Sequence, residues 1–215
     1  MNMNRNLSII AVLIALAGIF VWMFNAKGRS TAIERQDSTI STGNTTPLPS
    51  TDYHNWHEYT STGQFKVLMP NLPHNATEDI ADPKTNEMRN YQIFVSTKDD
   101  GAIFSVYLIS FPEKIGKSYD EVFLENFMNE MLKSNPSTQV KDVKMVSFRN
   151  GKALDFNLET HDASILGKAF LKGKTLYILS ETTKPDKKNP KEFEFFINSF
   201  QLMQKTTPSD NIKMK

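Results

Sequence analysis

The strongest feature of the hydrophobic pattern is an unbroken apolar run near the start of the chain. Leu7–Phe24, LSIIAVLIALAGIFVWMF, is eighteen residues with no charge, and Ser8 is its only clearly polar side chain. As a helix rising about 1.5 Å per residue it extends roughly 27 Å, close to the roughly 30 Å of a hydrocarbon core. The run therefore predicts a single transmembrane helix, a signal anchor, with everything after it on one side of the bilayer. A cleaved secretory signal is the alternative. Its apolar region is usually about 7–15 residues, shorter than this one. The sequence that follows, NAKGRS, offers only Ala26 and Gly28 as a small pair for cleavage. Arg5 precedes the run, whereas Lys27, Arg29 and Arg35 follow it, partly offset by Glu34. That count alone would hold the C-terminal side in the cytoplasm, but long domains are translocated largely whatever their charge. The expected orientation is N-in, with the domain in the periplasm or outside the cell.

From residue 25 to 52 the periodicity vanishes. The stretch is rich in Ser, Thr, Asn, Gly and Pro, including TPLP, and reads as a flexible tether. Period-two patterning begins with Trp56–Tyr59 and, after a turn at Ser61-Thr-Gly63, continues in Gln64–Met69, where Phe65, Val67 and Met69 share a face. Pro70 and Pro73 end that strand. Ala76–Ile80 and Arg89–Thr97 read as strands around a turn at Asp82-Pro-Lys-Thr. Ala102–Phe111 is apolar on both faces, with Phe104, Val106 and Leu108 on one side and Ile103, Tyr107, Ile109 and Phe111 on the other. That is the pattern of a central strand covered on both sides.

The period then changes to that of a helix. Ser118 and Glu121 form a capping-box pair. Tyr119, Val122, Phe123, Phe127, Met128, Met131 and Leu132 make an apolar stripe, and Asn135-Pro136 stops it. Residues 139–182 return to period two and predict an antiparallel meander. Asn150-Gly151 marks its clearest hairpin, and Lys152–Thr160 turns Leu154, Phe156 and Leu158 inward. A second helix follows KPDKKN, with Asn189 as cap, Pro190 first, Glu192 at the third position and Phe193, Phe196, Ile197 and Phe200 as the buried stripe. Strands, helix, strands, helix with a mostly antiparallel sheet predict an α+β fold, an α/β/α sandwich, over residues 53–204. Residues 1–6 form a short leading tail and 205–215 a polar closing one.

Composition narrows the function. The chain has no cysteine, which removes thiolate catalysis, zinc–thiolate sites, disulfides and a lipidated cysteine. Residues 1–52 hold four of the 25 basic and three of the 24 acidic residues, so the domain itself is neutral. A nucleic-acid partner has no electrostatic support. Charge is nevertheless uneven. Residues 78–130 carry eleven Asp/Glu against five Lys/Arg, and residues 133–191 carry twelve Lys/Arg against six Asp/Glu. The simplest reading is that the two halves pair within one domain or lie on solvated surface.

No phosphate loop, dinucleotide fingerprint, nucleophile elbow or H-E-x-x-H motif occurs, and no cofactor is expected. His54 and His57 flank Trp56, a weak metal spacing, and His74 lies in a Pro/Asn loop. His161 follows a strand whose polar face carries Asp155, Asn157 and Glu159. Period two places Asp155, Glu159 and His161 on one side, so a metal or acid–base cluster is geometrically possible there. The plainer reading is the solvent face of a half-buried strand.

The apolar and turn residues follow a recognisable order. Trp56 precedes G-x-F-x-V-x-x-P (Gly63, Phe65, Val67, Pro70) and a second proline, Pro73. Tyr91 follows, then Phe104–Tyr107 as F-S-V-Y, Phe111-Pro112, Gly151 and Leu176–Leu179. The run closes with F-x-x-S-F at Phe196, Ser199 and Phe200. This order resembles the bacterial PsbP-like proteins, relatives of the extrinsic photosystem II subunit and of a Ran-binding nuclear import factor. The resemblance covers about residues 53–203. It implies an α/β/α sandwich and an accessory or binding role without catalysis. Many bacterial members are lipoproteins or secreted, and here an anchor stands in place of a lipidated cysteine. No metal or Ran site carries over. The expected function is a membrane-anchored accessory module that binds a protein of the envelope. A carrier of a small apolar ligand is the alternative, and a metal-assisted hydrolase using Asp155, Glu159 and His161 is more remote.

Overall fold

Among the residues it describes, the computed structural model has ten strands. It describes residues 53, 55–81, 86–112 and 120–203. The apolar run 7–24, the tether 25–52, the closing tail 205–215, His54, the turn at Asp82-Pro-Lys-Thr and the capping residue Ser118 lie outside the described residues. In chain order the elements are β1 (His57–Ser61), β2 (Phe65–Met69), β3 (His74–Ala81), β4 (Met88–Thr97), β5 (Ile103–Ser110) and α1 (Asp120–Ser134). There follow β6 (Gln139–Phe148), β7 (Gly151–Glu159), β8 (Ser164–Lys172), β9 (Thr175–Thr183), a 3-10 turn at Pro185–Lys187, α2 (Pro190–Ser199) and β10 (Gln201–Leu202). Among the described residues no helix is long and apolar enough to cross a membrane.

Seven strands form one antiparallel sheet in the order β3-β4-β5-β9-β8-β7-β6. Its middle strand neighbours, β5 and β9, are buried along almost their whole length, as two-faced apolar patterning requires. Ile103, Tyr107, Ile109 and Phe111 join Leu154, Phe156 and Leu158 beneath α1, around Leu124 and Phe127. Phe104, Val106 and Leu108 face the other way, toward Phe196, Ile197 and Phe200 of the α2 segment. The fold is thus α+β with a helix over each face of a mostly antiparallel sheet.

The structure departs from expectation in four places. β1 and β2 stay out of the large sheet. They pair with β10 as a separate three-stranded sheet that shares the α2 layer. Pro70 and Pro73 lie between β2 and β3, where the missing N–H groups end the ladder. Phe65, Val67 and Met69 still share one face, and it packs onto the large sheet. In α1 the stripe centres on Leu124, Phe127 and Met128, and Val122 is 55% exposed. At about 100° per residue Val122 lies some 200° from Leu124, on the far side of the helix.

The hairpin between β6 and β7 turns on Arg149 and Asn150, which both have positive φ (48° and 61°). Gly151 already pairs with Phe148. A left-handed arginine is costly, and here its guanidinium is held by the Phe200 carbonyl and lies over the rings of Phe148 and Phe200. At α2, finally, Asn189 makes no side-chain cap bond. Its carbonyl accepts from the N–H groups of Glu192 at 3.0 Å and Phe193 at 3.2 Å.

Candidate functional site

The three polar residues that share one side of the β7 sequence are not brought together. The Asp155 carboxylate accepts from the Lys168 ammonium on β8. Glu159 pairs with Lys141 on β6 at 2.7 Å. His161 lies beyond the strand with its side chain 98% exposed, 3.8 Å from the Asp162 carboxylate. Glu159 and His161 line an open hollow of about 560 Å³ with Ser137, Gln139, Asp162 and Pro185, and Asp155 is not among its walls. Among the described residues no group of three or more His, Asp or Glu is placed to hold a metal ion. His57 and His74 sit exposed at the starts of β1 and β3.

A different group of charges gathers at the same end of the large sheet, on its α2 face. β9 pairs Glu181 with Leu166 on β8 and with Phe104 on β5. Paired residues of an antiparallel sheet share a face, and Phe104 packs against Phe196 of α2 at 5.3 Å between ring centroids. The Glu181 side chain therefore points into the α2 layer, where it is 1% exposed. Neither of its carboxyl oxygens has a hydrogen-bond partner. On the same face, Asn157 Oδ1 and Ser164 Oγ are also buried without one.

The groups around Glu181 come from two other segments. Glu192, in the first turn of α2, is 3% exposed, and its Oε1 accepts from Lys98 Nζ at 2.6 Å. Lys98, in the β4–β5 turn, also pairs with Asp100 at 3.0 Å. Asp100 Oδ1 accepts in turn from the Ala102 backbone N–H at 2.9 Å. Lys98 is thus shared by Glu192 and Asp100, and Glu181 has neither a cation nor a donor of its own.

The electrostatics follow from this arrangement. Burial pushes the Glu181 carboxyl up to about 8, the nearby Glu192 charge adds to the rise, and Lys98 opposes it. Burial also works against Asp100 ionising, but the Ala102 N–H and Lys98 together hold its carboxyl below the usual range. Lys98 is raised: burial would lower it, and the bonds to Glu192 and Asp100 outweigh that. A carboxyl poised to exchange a proton near neutral pH is what this site offers chemically.

Sequence reasoning passed over these residues. Residues 139–182 read as an antiparallel meander, and Glu181 stands there between Ser180 and Thr182, where its charge gives no signal of burial. Glu192 reads as a helix-start residue, but its side chain reaches Lys98 instead of the helix cap. Lys98 and Asp100 read as a turn. Nothing in the local sequence places that turn beside α2.

No protein-family model matches the chain, and no curated protein matches it. Solved structures do. The solution structure of cyanobacterial PsbP (CyanoP) from Synechocystis sp. PCC 6803 is similar over 75% of this chain and 98% of that one, with 12% identity and a TM-score of 0.47. A crystal structure of a protein from Bacteroides thetaiotaomicron VPI-5482 is similar over 70% of this chain, with 14% identity and a TM-score of 0.34. This chain spans about half of that one, 49%.

Proposed function

We propose that the protein is a membrane-anchored accessory module that binds an extended segment of a protein partner outside the cytoplasm. The observation that carries the reading is strand β3. Among the described residues it forms one edge of the large sheet and pairs only with β4. Its residues are largely exposed, and Leu72 before it and Met88 opposite its end are 60% and 55% exposed. An edge strand presents a row of backbone donors and acceptors that a partner's extended segment can complete, with flanking apolar side chains adding affinity. The predicted span and tether supply the other half of the proposal, since confinement at a surface raises the effective concentration for neighbouring proteins. The reading assigns the domain no catalytic step and no cofactor.

A ligand carrier would need room between the sheet and its helices. On the α1 face that space is filled by Leu124, Phe127 and Phe156, and on the α2 face by Phe104, Phe196 and Phe200. The test is photo-cross-linking in intact cells. A photoreactive side chain at Thr77 on β3 is expected to give one reproducible protein adduct. The same group at Lys144 on β6, at the opposite edge, is expected to give none. Organic extraction of the purified protein is expected to yield no stoichiometric small molecule. Equal adducts from both edges, or a stoichiometric lipid in the extract, would overturn the proposal.

A further inference from the structure

The chain folds back on itself immediately after Glu181. Thr183 ends β9, the turn at Pro185–Lys187 follows, and α2 returns across the face from which Glu181 projects. The segment 184–199 is therefore a cover over the unpartnered carboxyl. Its own charges facing Glu181 are Glu192 and Lys188. From the β4–β5 turn, Lys98 and Asp100 face it. On the sheet its cross-strand neighbours are Leu166 and Phe104, both uncharged. The next charge along β8, Lys168, is engaged by Asp155.

When Glu181 carries a proton, the site holds Glu192 and Asp100 against their shared Lys98. When it loses that proton, a further buried negative charge appears beside Glu192 with no donor to receive it. Two relaxations are open to such a group: uptake of a proton, or exposure to water. Exposure here means movement of the cover, because β9 is fixed on both sides by β5 and β8. The C-terminal part of the cover is secured by Phe196 and, immediately after the cover, by Phe200, both fully buried. Its N-terminal part holds by the Lys98–Glu192 pair and by partly buried aromatic contacts such as Tyr53 stacked on Phe195 at 4.4 Å.

We propose that Glu181 is a proton-operated latch: protonated, it lets the cover 184–199 seat on the sheet, and ionised, it drives residues 184–195 of that cover open. The device is independent of the partner reading above and stands or falls separately.

Hydrogen–deuterium exchange on the full chain in nonionic detergent tests it, with intrinsic exchange rates divided out. Protection of amides in 185–195 is expected to fall by up to about tenfold per pH unit between pH 5 and 8 and to level off above that. Low urea is expected to leave this exchange unchanged, because the opening is local, whereas urea accelerates exchange in α1 on the opposite face. In Glu181→Gln the pH slope in the cover should vanish. In Glu192→Gln, which removes the repelling charge and frees Lys98, levelling should begin at lower pH. Three results would sink the latch. One is protection in the cover that does not vary with pH. Another is a slope that survives in Glu181→Gln. The last is cover exchange that tracks urea together with α1, which would mean opening only by global unfolding.

Discussion

Glu181 is the residue at which charge and burial conflict most sharply. Its folded-state carboxyl lies near 8 against an ordinary value of 4.5. The folded protein therefore holds a proton that the unfolded chain has released across that window. Stability rises with pH only where the unfolded state binds more protons, and here the reverse holds. This residue's contribution is undiminished below about pH 4.5, declines as pH rises toward 8, and is constant above. The steepest decline is about 1.4 kcal/mol per pH unit. Chemical denaturation at pH 5.5 and pH 8 should show the loss, and Glu181→Gln should remove most of it. Equal pH dependence in the two proteins would show that Glu181 does not titrate in this range. The sequence shows a glutamate between Ser180 and Thr182, at the polar end of an apolar strand. It does not show that α2 closes over that position with a second carboxylate, because that juxtaposition spans three separate segments. Arg149 has the same character. Asn150-Gly151 marks the hairpin from sequence, and the shift of the turn onto Arg149 depends on the Phe200 carbonyl, 51 residues away.

Elements were legible where periodicity is strong and local. The two-faced pattern of Ala102–Phe111 predicts a central strand, and β5 is one, with the expected residues on each face. The meander from β6 to β9 follows from the alternation and turns in residues 139–182. The small sheet was not legible as a separate unit. It depends on β10, two residues long, crossing back to Phe65 and Lys66. No pattern two residues long announces a strand. The predicted stripe is confirmed at Phe196 and Ile197 within α2 and at Phe200 just after it, with Phe193 partly buried. Phe196 packs on Phe104, and Phe200 stacks on Phe65 at 5.3 Å between centroids. Truncating either to alanine should therefore cost about 3–5 kcal/mol. Val122→Ala, on the exposed side of α1, should stay within about 0.5 kcal/mol of wild type. Denaturant midpoints check both. Near-wild-type stability of Phe196→Ala and Phe200→Ala would mean that α2 contributes little to holding the layers together.

At the scale of the molecule, the uneven charge of the sequence becomes a property of the sheet. The acid-rich segment supplies β3, β4, β5 and α1, and the base-rich segment supplies β6 to β9, so the two meet at the β5–β9 pair. An ion pair joins the halves through Lys152 and Glu121. The placement of the whole domain rests on Leu7–Phe24 and on the tether after it. If the apolar run is an uncleaved anchor, the full chain should remain in the membrane pellet after alkaline carbonate extraction. A protease added to cells with an opened outer layer but an intact inner membrane should then release the domain by cutting within 25–52. That stretch is Ser/Thr/Pro-rich and has little apolar periodicity to protect it. The flanking charges make this a discriminating experiment. Taken alone, Lys27, Arg29 and Arg35 would retain the domain in the cytoplasm. Protection until lysis would show that those charges decide the topology and would remove the extracytoplasmic partner. A soluble, shortened mature form would instead show that the run is a cleaved signal, and the tether would then confine nothing.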